Sequence, residues 1–158
     1  MARTTTQHTV VVQSAKPSGV TRMEAVGSGS IIPGEVLEYR SSKIQRVSTA
    51  AVATPKFVAL ENPTPDTDDY PTTAAIDIPY ADGDTVYFAK AAPGDIYNMR
   101  LGDGGTVTKG LQFLKANASG QVASCGTGVN VGTANPIGIA WETVTAAGTE
   151  ARCQVLIV

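Results

Sequence analysis

From residue 31 onward the chain is built of short apolar runs divided by turn-forming residues every 8 to 12 positions. In EVLEYR, Val36 alternates with Glu35 and Leu37, and KFVAL (Lys56 to Leu60) is the next run. Ala75 to Pro79 is a short run ahead of an Ala81-Asp82-Gly83 turn. GDTVYFAK is the clearest strand, with Val86 and Phe88 on one side and Thr85, Tyr87 and Ala89 on the other. DIYNMRL (Asp95 to Leu101) follows, closed by Gly102-Asp103-Gly104-Gly105. Leu111 to Ala116 and Gln121 to Cys125 flank NASG, which predicts a hairpin whose Gly120 takes positive φ. Ile137 to Val144 and Ala151 to Val158 flank TAAGTE in the same way. In the last run Ala151, Cys153, Val155 and Ile157 share one face, with Arg152, Gln154 and Leu156 opposite.

Two stretches break this texture. Residues 1–30 mix Thr, Ser, Gly and Gln around one apolar patch, Val10 to Val12, and are expected to form an extended N-terminal arm ahead of a β domain at 31–158. ENPTPDTDDYPTT, with three prolines, predicts an exposed loop over 61–73. Helix is expected only as a short segment around 43–53. Composition agrees: 19 Thr and 17 Val against 6 Leu disfavour a helical bundle, while 16 Gly and 9 Pro supply turns. Mean hydropathy is +0.01, too high for a wholly disordered chain. The predicted class is all-β, a small barrel or sandwich with little helix.

Charge adds an asymmetry that the net value of −2 conceals. Residues 1–22 carry +3 from Arg3, Lys16 and Arg22, whereas 61–103 carry −7. One reading is a solvated acidic loop and a polar tail. The sharper one is a basic arm that reaches an acidic partner surface, including that of a neighbouring copy. The small negative total gives no reason to expect nucleic acid as partner. No apolar run approaches the 18 residues of a membrane span, so no membrane partner is expected. The first residues lack the apolar stretch of a secretory signal, and two cysteines cannot form a disulfide framework, which suits a reducing compartment.

Candidate chemistry is sparse. His8 is the sole histidine and sits in the polar N-terminal stretch, which leaves no partner set for a catalytic triad or a multi-histidine metal site. Cys153 alternates in phase with Val155 and Ile157, as a buried small hydrophobe would, and Cys125 ends a strand before a Gly-rich loop. Asp66, Asp68 and Asp69 lack the glycine and glutamate positions of a calcium loop. Gly126-Thr127-Gly128 with Gly132 is a broken dinucleotide fingerprint that opens no helix. The expectation is a non-enzymatic protein with no catalytic residue, no metal and no cofactor.

The C-terminal half, GDTVYFAK, GTVTKGLQFLKANASGQVA and NPIGIAWETVTAAGTEARCQVLIV, resembles the bacteriophage capsid cement (head decoration) proteins. The matching features are the Lys109-Gly110 turn into a strand, the Ser119-Gly120 hairpin, the strand Ile137-Gly138-Ile139-Ala140 and the closing run Gln154 to Val158. The resemblance covers residues 82–158, and 31–60 more loosely. It implies a β-tulip-like domain with an extended N-terminal arm, a homotrimer on the outer surface of the virion capsid, made in the host cytoplasm. It also implies a mechanical task, bridging major capsid protein subunits against DNA pressure. Within that reading Thr9, Val10, Val11, Val12 and Gln13 form a strand without an internal partner, expected to pair with a capsid subunit or an adjacent copy, and Arg3 and Lys16 are expected to aid the encounter. The runner-up is a β-sandwich adhesin or fibre domain that binds carbohydrate or a host surface through Tyr70, Tyr80 and Tyr87.

Overall fold

The computed structural model describes residues 9–48, 56–63, 75–102, 105–125, 135–145 and 151–158. The protein is all-β. β1 (Val11–Gln13), β2 (Thr21–Ser28), β3 (Val36–Arg40), β4 (Lys43–Arg46) and β5 (Phe57–Ala59) come first, followed by one 3-10 turn at Ala75–Asp77. β6 (Thr85–Lys90), β7 (Ile96–Arg100), β8 (Thr106–Val107), β9 (Phe113–Ala116) and β10 (Val122–Ser124) follow. β11 (Gly138–Ala140), β12 (Val144–Thr145) and β13 (Arg152–Ile157) complete the order.

These strands form a closed five-stranded barrel, β2-β4-β3-β5-β6, and a six-stranded sheet, β1-β7-β13-β11-β9-β10, with β8 and β12 as a separate ribbon. The six-stranded sheet is antiparallel throughout. In the barrel only the β2–β4 contact is parallel.

Three barrel strands are buried on both faces, which explains their apolar runs. Leu37, Phe57, Ala59, Val86 and Phe88 fill the barrel with Ile31, Ile44 and Tyr80. Their neighbours Val36, Val58 and Ala89 face the other way and pack with Tyr97, Met99, Leu114, Val155 and Ile157 of the large sheet. Each such side chain contributes about 1.5–3 kcal/mol on burial, so the second core fastens barrel to sheet. Backbone bonds add to it: Val36 N donates to Gly120 O at 2.7 Å and Arg100 N to Gly34 O at 3.1 Å. At the start of β11 a Cβ on Gly138 would lie 2.2 Å from Leu156 O, so no larger residue fits there.

The expected strands at 85–90, 96–100, 113–116, 122–124 and 152–157 are present. The faces of the last are as read, with Cys153, Val155 and Ile157 buried. Gly120 has φ +73 in a turn where Asn117 Oδ1 accepts from Ser119 N (2.9 Å) and Gln121 N (3.1 Å).

Two expectations need correction. The helix placed around 43–53 is not formed over Lys43–Arg46, which is β4, paired in register with β3 through Tyr39↔Ile44 and Arg40↔Lys43. Its hairpin turn uses Ser41 and Ser42, both at positive φ (49° and 67°), a geometry that ordinarily calls for Asn-Gly. Residues 1–30, expected as an extended arm, divide differently where they are described. Thr21–Ser28 is a barrel strand paired with β6 from Thr21↔Lys90 to Val26↔Thr85, and Val11–Gln13 is an edge strand of the large sheet.

Candidate interaction surfaces

The N-terminal segment is by its sequence a strand in need of a partner, and it finds one in its own chain. Val10 is fully buried; its N–H donates to the Glu61 carboxylate, and its carbonyl accepts from Asn98 N at 2.7 Å. Val11 pairs with Tyr97 and Gln13 with Ile96, across a register irregularity. Thr9 Oγ1 donates to Val11 O at 3.3 Å. Beyond the strand, Ala15 N donates to Asp95 Oδ1 at 2.8 Å, and Lys16 N to Ser14 Oγ at 3.1 Å. The reason is proximity. The β7 edge offers unpaired backbone groups to a segment already tethered nearby, so docking costs little chain entropy. Val11 and Val12 stay half-buried, Gln13 and Lys16 exposed, and Arg3 lies outside the described residues. Sequence reading missed Glu61 and Asp95, the two carboxylates that hold this segment; neither stands in a motif that would have marked it.

Charged groups also occupy the seam between barrel and sheet. Glu35, almost fully buried, accepts from Ile32 N at 2.9 Å and lies 3.4 Å from Arg100 Nη1 and 3.9 Å from Arg46 Nη1. Burial raises its carboxyl above the usual range, opposed by the Ile32 bond and by the charges of Arg46, Arg100 and Arg152. Arg152 reaches Asp77 Oδ1 at 2.9 Å and Pro33 O at 2.9 Å, and donates also to Ile76 O. Burial lowers its pKa, and Asp77 partly restores it. These side chains are engaged with one another and with backbone, so they serve as a clamp between β3, β7, β13 and the 3-10 turn.

The outer face of the large sheet carries a cross-strand row, Leu156↔Ile139↔Phe113, all half-buried. Beside it Trp141 is 38% exposed and Leu111 59%, and Lys109 Nζ sits 4.9 Å from the Trp141 ring centre. At one end of the barrel Tyr39 (47% exposed) meets Phe57 and Phe88 edge-to-face, with ring centres 5.6 and 5.9 Å away. The tyrosines named for a glycan site fare unevenly. Tyr80 is buried with its hydroxyl donated to Leu60 O at 3.1 Å, Tyr87 is half-buried, and Tyr70 lies outside the described residues. So do His8, the aspartates 66, 68 and 69, and the Gly126–Gly132 stretch. Among the described residues no group of three or more His, Cys, Asp or Glu comes together, and no helix is long and apolar enough to cross a membrane.

No protein-family model and no curated protein matches the chain. Among solved structures it is similar to the N base of the head fiber gp8.5 of bacteriophage phi29, at 14% identity and a TM-score of 0.49, over 88% of this chain and 94% of that one.

Proposed function

We propose that the chain is a non-enzymatic capsid decoration (cement) protein that binds the exterior of a phage head as a homotrimer and bridges major capsid protein subunits. The observation that carries this reading is where the cement-like motifs fall. The Lys109-Gly110 turn, the Ser119-Gly120 hairpin, Ile137–Ala140 and Gln154–Val158 are scattered over 50 positions, yet all belong to or border one sheet, β13-β11-β9-β10. Several of them have a physical reason to be as they are: Gly138 cannot carry a side chain, and Gly120 turns the hairpin. A double core with a charged clamp gives a stiff body, which mechanical bridging needs. Because β1 is docked internally, the bridging contact in this proposal uses the folded surface, with Gln13 and Lys16 exposed beside the β1 edge. The test is co-sedimentation with expanded, undecorated heads of the phage that encodes the chain. Saturable pelleting supports the reading, and a protein left in the supernatant at micromolar excess overturns it.

A further inference from the structure

The barrel has two chemically different ends. β3 runs toward one end and β2, β4 and β5 start there, so strand pairing brings Arg22, Arg40, Lys43 and Lys90 to a common rim: Arg40 opposite Lys43, Thr21 opposite Lys90, Phe57 opposite Lys90 and Arg22 opposite Ala89. All four are exposed. Lys56 stands beside them, tied by Nζ to Ile137 O (3.1 Å) and Val158 O (2.7 Å). The nearest described acids, Glu24 and Glu38, lie a step down the outer wall, and Glu38 is taken up by Ser48 and Gln45. Residues 49–55, outside the described set, bring no charge. The opposite end carries two exposed aspartates, Asp82 and Asp84, at the turn that leads into β6. Inside the basic rim lies an apolar ledge, Met23 (37% exposed) and Tyr39, backed by Phe57 and Phe88.

From this juxtaposition we infer that the basic end of the barrel is a docking site for an acidic polypeptide segment that carries an apolar anchor residue. Arginine forks suit carboxylates, and lysines supply further charge. An exposed tyrosine beside a methionine offers an adaptable apolar seat of the type found at interface centres. A short segment feels mainly the local rim, since the screening length is about 8 Å at physiological salt. A long polyanion would also meet the exposed Asp82 and Asp84 at the far end of the barrel, which favours a peptide over nucleic acid. The inference stands independently of the capsid reading.

The test is fluorescence anisotropy at low salt with three labelled probes: a short glutamate-rich peptide with a central leucine pair, an all-glutamate peptide of equal length, and a single-stranded oligothymidylate of equal charge. The leucine-bearing peptide should bind tightest. Arg40→Gln with Lys43→Gln should weaken it roughly tenfold or more, whereas Lys109→Gln with Lys115→Gln on the other sheet should not. Tyr39→Ala should erase the advantage of the leucine peptide over the all-glutamate one. Met23→Ser repeats that comparison without disturbing the aromatic trio, should Tyr39→Ala lose the fold. No binding, equal sensitivity to both lysine-bearing pairs of substitutions, or an oligothymidylate that binds as tightly as the leucine peptide would each overturn the inference.

Discussion

Asp95 ties the N-terminal segment to the start of β7 with one buried carboxylate: it accepts from Ala15 N, from Ala92 N at 2.9 Å and from Tyr97 Oη at 3.2 Å. Removing it strands several donors, each costing about 1–3 kcal/mol when buried without a partner. Asp95→Ala should therefore lower the unfolding free energy by about 3 kcal/mol or more in urea titrations, whereas Lys16→Ala should stay within about 0.5 kcal/mol. The role of Asp95 could not be read from DIYNMRL, because the partner that ties it to the N-terminal segment, Ala15, is 80 residues away. The valines were legible as a strand, but not the edge that would receive them. Glu35 supplies a pH test. Its folded pKa is raised above 4.5, so the folded state binds this proton more tightly than the unfolded one, and the cost of burying the charge is relieved as pH falls. Relative to Glu35→Gln, the wild-type protein should gain stability as pH drops from 7 toward 4.5; a relative loss over that window would contradict the assigned cause.

Hairpins show what pattern alone conveys. The β9–β10 hairpin was legible because Asn117 and Gly120 each have a defined turn role. The β3–β4 hairpin was not, because Ser41-Ser42 does not advertise positive φ, and without a turn signal Lys43 to Arg46 reads as readily as helix as strand. Left-handed backbone costs a non-glycine residue about 1–2 kcal/mol. Ser41→Asn with Ser42→Gly should accordingly stabilise the protein by about 1 kcal/mol, seen as a higher urea midpoint with unchanged slope. An unchanged or lower midpoint would mean that the turn is not strained. In β11 the sign reverses: Gly138→Ala forces a contact at 2.2 Å with Leu156 O and should destabilise by more than about 3 kcal/mol, with lost amide protection across β11 and β13.

At the scale of the molecule, Val/Thr-rich runs at regular spacing made the all-β class readable, but not its division into a closed barrel and a six-stranded sheet. That division depends on which runs are buried twice, and only tertiary contact shows that Val36, Val58 and Ala89 face a second core. The internal partner of Thr9–Gln13 was not legible for the same reason, since the β7 edge that accepts this segment belongs to a strand far along the sequence. The result is a barrel fastened to a six-stranded sheet, with a basic rim at one end of the barrel and an apolar row on the sheet's outer face. The most direct measurement of the proposed decoration role is a cryo-EM reconstruction of expanded, undecorated heads mixed with the purified protein. The expected result is trimeric density on the outer surface, each lobe fitted by the barrel and six-stranded sheet and touching more than one capsid subunit. Heads whose outer surface is unchanged after mixing would contradict it.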